Sequence, residues 1–192
     1  MNQYSPGGFL SLPPVVKNLL IINVILFIAT LILERTGIDL YQYLAVHSIK
    51  SPDFRPYQLI THMFMHGGIG HIFFNMFALW MFGRVLEDVW GSRRFFVYYF
   101  VTGLGAAFLH LLVNYIEVQA LMKQMNPALV SQVLSEGADL LRSGLNYSDS
   151  LAGKLNLMLN TPTVGASGAI YGLLLAFGFL FPNAIIYLYF AL

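Results

Sequence analysis

The sequence predicts an all-α membrane protein, a polytopic helical bundle with four full or near-full transmembrane spans plus the start of a fifth. Composition is the first reason. With 57% apolar and only 10% charged residues, and a mean hydropathy of +0.67, a chain of 192 residues lacks the polar surface of a water-soluble fold. The second reason is length: apolar runs recur at the roughly 20 residues that a helix needs to cross a bilayer. The third is punctuation, because Gly, Pro and charged residues stand between those runs.

The spans follow in order. Span one is expected from about Val15 to Leu33, ended by Glu34-Arg35. It is too long for the apolar region of a signal peptide, so a retained span fits better than a cleaved one, and the short leader Met1 to Val16, without Lys or Arg, is unlike an Arg-rich organelle transit peptide and points to a bacterial membrane. Span two is expected from about Leu59 to Phe82 and span three from about Phe95 to Ile116. Span four begins near Ser167 and reaches Phe181, where Pro182-Asn183 marks a turn. Apolar sequence resumes at Ala184 and stops at Leu192, which is the start of a fifth span without its polar flank.

Basic residues set the expected orientation. Arg84, Arg93 and Arg94 lie between spans two and three, which places that connection and the N-terminus in the cytoplasm. The loop from Glu34 to Tyr57 and the stretch from about 117 to 161 then face outward. Within that outward insertion, Asn126-Pro127 reads as a helix start. Leu129, Val130, Val133, Leu134, Ala138 and Leu141 give the helix an apolar face up to Gly144. A second short amphipathic piece is expected from Ser148 to Leu159, the pair lying on the membrane interface or over a site. A bacterial plasma membrane is the expected location.

Composition also excludes function classes. The ten Lys and Arg are scattered apart from Arg93-Arg94, so a nucleic-acid partner is not expected. The absence of cysteine removes thiolate nucleophiles, disulfides and Cys-based metal sites. His62, His66 and His71 invite a zinc reading, but Gly67 to Gly70 interrupts their shared face and no carboxylate is near, so no metal or cofactor is expected.

Polar residues inside apolar stretches are costly in lipid unless they line a cavity or find partners. His71 and Asn75, at i and i+4, share one helix face. If Ser167 starts span four, only fifteen residues remain before Pro182, roughly 22 Å of helix against a core of about 30 Å. The helix then begins below the outer surface, behind irregular backbone at Thr161 to Ala166, which is tolerated at that depth only inside protein or beside a water-filled cavity. A serine there sits where free N–H groups and the helix dipole favour a developing anion. With His71 and Asn75 as further donors, the set has the chemistry of an oxyanion hole for acyl transfer. On spacing alone, simple packing of Ser167 and interhelical hydrogen bonding by His71 and Asn75 explain the same residues equally well.

The stretch His71-Ile72-Phe73-Phe74-Asn75, then Gly83 and Glu87, then Gly165-Ala166-Ser167-Gly168 with Tyr171 and Gly172, resembles the rhomboid family of intramembrane serine proteases over roughly Tyr57 to Asn183. The resemblance implies a single rhomboid-like membrane domain over 1–192, incomplete at its C-terminus and carrying the insertion at about 117–161. It implies an intramembrane serine endopeptidase that cleaves transmembrane or juxtamembrane segments of single-span membrane proteins by a Ser-His dyad. Ser167 is then the nucleophile, His71 and Asn75 polarise the scissile carbonyl, Tyr171 packs beside the base and shapes the cleft, His66 is structural, and Glu87 ties helix ends together.

Two departures stand out. Tyr57-Gln58, with Arg55 nearby, occupies the place of the family's Trp-Arg pair in the first loop. The family's base histidine, on a sixth span, has no counterpart here: the five histidines are His47, His62, His66, His71 and His110, all upstream of Ser167. A serine hydroxyl without a base is a weak nucleophile, so the expectation is that the chain stops before the span that supplies it and is inactive alone. A small-residue stripe of Gly168, Gly172 and Ala176 is expected to receive another helix, which the resemblance implies is that missing span, with span two or a second protomer as the alternatives. The alternative is an inactive rhomboid-like protein that binds transmembrane clients. A channel or transporter would require charged residues that spans two to four almost entirely lack.

Overall fold

The computed structural model describes residues 12–185, and these form a bundle of helices with one isolated backbone bridge between two loops. Helix α1 (Pro14–Glu34) begins at a proline, which lacks the N–H that a first-turn position leaves unpaired anyway. A short α2 (Leu40–Leu44) and α3 (Gln58–Thr61) follow in the first loop. The second spanning unit is α4 (Ile69–Ala78), a π-helical segment Leu79–Gly83 and α5 (Arg84–Trp90), in line over 22 residues. Then come α6 (Ser92–Met122), α7 (Pro127–Arg142), α8 (Ser150–Asn160) and α9 (Ser167–Leu180).

Three helices, α1, α4 to α5 and α6, are long and apolar enough to cross a bilayer, and α9 is shorter at 14 residues. The protein is therefore an integral membrane protein. Span one and span four lie where the sequence places them. Span two does not: it runs Ile69–Trp90 rather than from Leu59 to Phe82. The apolar residues before Gly67-Gly68 form α3 and a 3-10 turn, His62–Phe64, because the glycine pair breaks the helix between them and α4. The fifth-span expectation, Ala184 to Leu192, falls almost wholly outside the described residues.

Span three is also longer than expected. At 31 residues α6 extends for about 46 Å, well beyond a hydrocarbon core of about 30 Å. The overhang is apolar for a reason other than lipid: Val118 and Leu121 are buried with Met125, Val133, Ala152, Leu155 and Leu159 in a second core. The insertion thus packs on the projecting end of α6 and has its own interior. Its helices carry local start and stop signals. Asn126 Oδ1 accepts from Ala128 N–H at 2.9 Å and Asp149 Oδ1 from Ala152 N–H at 2.8 Å. Helix α7 ends in paired bonds, Gly144 N–H to Leu141 O and Leu145 N–H to Leu140 O, with Gly144 at φ 76°.

The main core joins α1, the second spanning unit, α6 and α9 around Val16, Leu79, Leu86, Phe95, Tyr99 and Leu173. Close approach between α6 and α9 depends on small residues: a Cβ on Gly168 would meet the Ala106 Cβ at 2.5 Å, and one on Gly172 would meet Thr102 at 2.6 Å. This corrects the sequence reading of that stripe. Gly168 and Gly172 receive span three, not a missing helix. The open face of α9 lies elsewhere, on Tyr171, Leu175 and Phe179, which recur every four residues and are 73%, 60% and 79% exposed.

At the other end of the bundle one carboxylate joins three helices. Glu87, 2% exposed on α5, accepts from the N–H groups of Val15 (2.9 Å) and Val16 (2.7 Å) in the unpaired first turn of α1, and from Ser92 Oγ (2.7 Å) at the start of α6. Replacing it strands buried donors. Glu87→Ala is expected to lower the stability of the detergent-solubilised protein by about 2–3 kcal/mol, read as a drop in Tm, whereas Glu34→Ala, an exposed residue with no such bonds, leaves Tm in place.

Candidate active site

Irregular backbone from Thr161 to Ala166 delivers the chain to Ser167, and every contact that holds it is specific. Thr163 and Val46 exchange two backbone bonds, 2.8 and 3.0 Å, as an antiparallel bridge. The Gly165 N–H donates to the His62 carbonyl at 2.9 Å, and Thr163 Oγ1 lies 2.9 Å from His110 Nε2. These bonds satisfy polar groups that would otherwise be stranded at depth. Helix α9 then starts at Ser167 itself, with its first N–H groups free of helical partners.

His71 and Asn75 reach the same place from α4. One cavity of about 380 Å³ is lined by His71, Asn75, Ser167 and Tyr171, together with Gly70 and apolar residues of α4 and α9. Gly165 is what lets the histidine in. A Cβ there would stand 2.7 Å from both His71 Cε1 and Nε2 and 3.7 Å from Ser167 Oγ, and the residue's φ of 120° is one that L side chains rarely adopt. His71 Nδ1 faces the Gly67 N–H at 3.4 Å, a long contact in which the ring nitrogen accepts. In the neutral ring that leaves the proton on Nε2. Asn75 donates one of its two amide N–H bonds to the His71 carbonyl at 3.0 Å, leaving the other.

A second cavity, about 200 Å³, also reaches Ser167 and is lined by His62, Gly103, His110, Thr163 and Tyr171 among others. Tyr171 borders both. Among the described residues, none makes a hydrogen bond to the Ser167 hydroxyl.

His66 supports the site from behind. Its ring packs edge-on against His71 at 5.1 Å between centroids, and its carbonyl accepts from Tyr41 Oη at 2.8 Å, tying the first loop to the residues before α4. Burial, and then the proximity of His71, push its pKa down to about 4, so a neutral ring faces His71. Gln58, beside the first loop, is fully buried: its Nε2 donates to the carbonyls of Tyr43 and Asp53 and its Oε1 accepts from Arg55 N–H. A buried amide thus organises this loop. The roles of Gln58, His110 and Val46 were not apparent in sequence, since each depends on partners brought together by folding; the polarity of Gln58 beside an apolar run was the one visible cue.

Comparison with known proteins accords with the architecture. The family profile described as the Rhomboid domain matches residues 53–192. Over 131 residues, 68% of this chain, it is 29% identical to "Rhomboid protein 1, mitochondrial" of Saccharomyces cerevisiae, covering 27% of that protein. It is 40% identical over 48 residues to "Rhomboid protease GluP" of Bacillus subtilis, and 40% identical over 53 residues to "RHOMBOID-like protein 6, mitochondrial" of Arabidopsis thaliana. Those matches cover 25% and 28% of this chain, and 10% and 17% of the relatives. The chain thus aligns with about a quarter or less of each relative's length.

The Gly165 contact is directly testable. Gly165→Ala is expected to displace the His71 ring and destabilise the protein by about 1–3 kcal/mol, seen as a lowered Tm in detergent; Gly105→Ala, whose Cβ would meet nothing within 4 Å, leaves Tm unchanged.

Proposed function

Because the chain belongs to the rhomboid family, we propose that the complete protein is an intramembrane serine endopeptidase in which Ser167 is the nucleophile and His71 and Asn75 hold the oxyanion. The observation that carries this reading is the convergence of all three residues on one cavity, with His71 Nε2 and Ser167 Oγ both close to Gly165. Attack by Ser167 Oγ on a peptide carbonyl places negative charge on the carbonyl oxygen. The His71 Nε2–H, the free Asn75 amide N–H and the Ser167 backbone N–H are the donors available to that oxygen, in a site walled by protein and lipid where such bonds are strong.

The attacking hydroxyl also has to lose a proton, and the base then returns it to the leaving amine. His71 does not suit that task, since its Nε2 is committed as a donor. This reading requires a further general base, since all five histidines precede Ser167, and the exposed Tyr171, Leu175 and Phe179 face of α9 is a side open to it. Tyr171 then serves as the platform beside it. Substrates are single-span membrane proteins whose helices unwind readily, since an intact helix shields its carbonyls from attack. The protein sits in a bacterial plasma membrane with its N-terminus and Glu87 on the cytoplasmic side and the insertion outside.

Inactive client binding is the second reading, favoured by the lack of any hydrogen bond to the Ser167 hydroxyl among the described residues. One assay separates the two. With the full-length protein and a panel of single-span reporters in liposomes, Ser167→Ala is expected to abolish cleavage, and His71→Ala and Asn75→Ala to lower kcat by about 10²- to 10³-fold. Cleavage that survives Ser167→Ala removes the serine-protease reading; binding of the reporters with no cleavage by the wild type establishes the client binder.

A further inference from the structure

A groove of about 480 Å³ runs along the first turns of α6 and is lined by Arg93, Arg94, Val97, Tyr98 and Val101. It is remote from the candidate active site: Ala106, which meets Gly168 beside Ser167, stands about 20 Å further along the same helix. Arg93, Val97 and Val101 recur every four residues, with Arg94 and Tyr98 beside them, so α6 presents cationic groups at its start and apolar surface for about 12 Å beyond. Both arginines are exposed, and neither makes an ion pair or a side-chain hydrogen bond among the described residues. Val97 and Val101 are exposed as well. Tyr98 is half-buried and held in place. Its ring packs edge-on against Trp90 at 5.0 Å between centroids, and its hydroxyl donates to the Gly172 carbonyl of α9 at 2.9 Å.

The charge around this groove is one-sided. Lys17 in the first turn of α1, Arg84 at the start of α5, and Arg93 and Arg94 stand at the Glu87 end of the bundle, where Glu87 and Asp88 supply the carboxylates. Glu87 is buried and committed to neutral donors of α1 and α6, and Asp88 makes no ion pair among the described residues. No carboxylate lines the groove itself. A guanidinium fork matches phosphate oxygens, and a cationic end followed by an apolar stripe matches the two ends of a phospholipid. A zwitterionic headgroup carries a cation that this lining has nothing to meet, so the match is to a lipid with net negative charge. We propose that the groove seats an anionic phospholipid of the leaflet at the Glu87 end, its phosphate held by Arg93 and Arg94 and an acyl chain lying along Val97 and Val101. The lipid then rests against the tyrosine that ties α6 to the serine-bearing helix.

The test reads lipid binding and needs no cleavage, so it stands apart from the proposed function. Full-length protein, stripped of lipid in detergent, is mixed with equal amounts of dioleoylphosphatidylglycerol and dioleoylphosphatidylcholine, and the retained lipids are identified by native mass spectrometry. The first lipid bound is expected to favour the anionic species about tenfold. The double variant Arg93→Gln/Arg94→Gln should lose that preference while keeping its Tm in lipid-free detergent, since neither side chain has a partner within the fold. Val101→Trp, which fills the apolar stretch, should weaken retention of the anionic lipid with both arginines intact. Arg35→Gln, at the opposite end of α1, should leave the preference in place. Equal retention of the two lipids overturns the proposal, as does an anionic preference that survives the arginine double variant. A preference undiminished by Val101→Trp reduces the arginines to unseated headgroup attraction and overturns the groove as the site. Displacement of the anionic lipid by an equal concentration of inorganic phosphate assigns the arginines to a soluble anion and overturns the lipid.

Discussion

The structure depends on keeping non-helical backbone satisfied where water is scarce. A serine at the N-terminus of a helix too short to span the bilayer requires the chain to arrive without helical hydrogen bonds, and Thr161 to Ala166 does so. The bridge to Val46, the bond from the Gly165 N–H to the His62 carbonyl, and the Thr163 contact with His110 replace what a helix would have supplied. Each partner comes from a different part of the fold: the first loop, the segment before α4, and α6. The position of Ser167 is therefore a property of the whole assembly, and removing any one of these partners leaves polar groups stranded next to the site.

The same economy of space governs the two ends of the bundle. Near the site, Gly165 admits the His71 ring, and Gly168 and Gly172 let α9 press against α6. At the opposite end Glu87 ties the starts of α1 and α6 to the interior of α5. Tight contact at both ends makes the α1, α4 to α5, α6 and α9 core a stiff frame, while the insertion stands on the projecting end of α6 with a separate interior.

Much of this was legible in sequence where the cause is local. Span one, the start of α9 at Ser167 and the limits of α7 follow from apolar length, capping residues and Gly144. The second span was misplaced because Gln58 to Met65 has the apolar composition of a helix, and only the Gly67-Gly68 pair distinguishes a loop from a continuation. The stripe of small residues on α9 was recognised, but its partner was not, since spacing says that a helix approaches and not which one. Val46, Gln58 and His110 lay beyond sequence reasoning for a common reason: their importance resides in partners many residues distant, or in a loop shape that no period records.

The commitment of Gly168 and Gly172 to α6 has a mechanical consequence. With no side chain between the two backbones, α9 cannot roll or slide without driving Ala106 or Thr102 into its own main chain. The serine-bearing helix is thus anchored like a bolt in its socket. At 100° per residue Tyr171, Leu175 and Phe179 lie about 60° around α9 from Gly168, Gly172 and Ala176, so the exposed stripe adjoins the fixed contact, and anything packed there meets a helix that cannot give way.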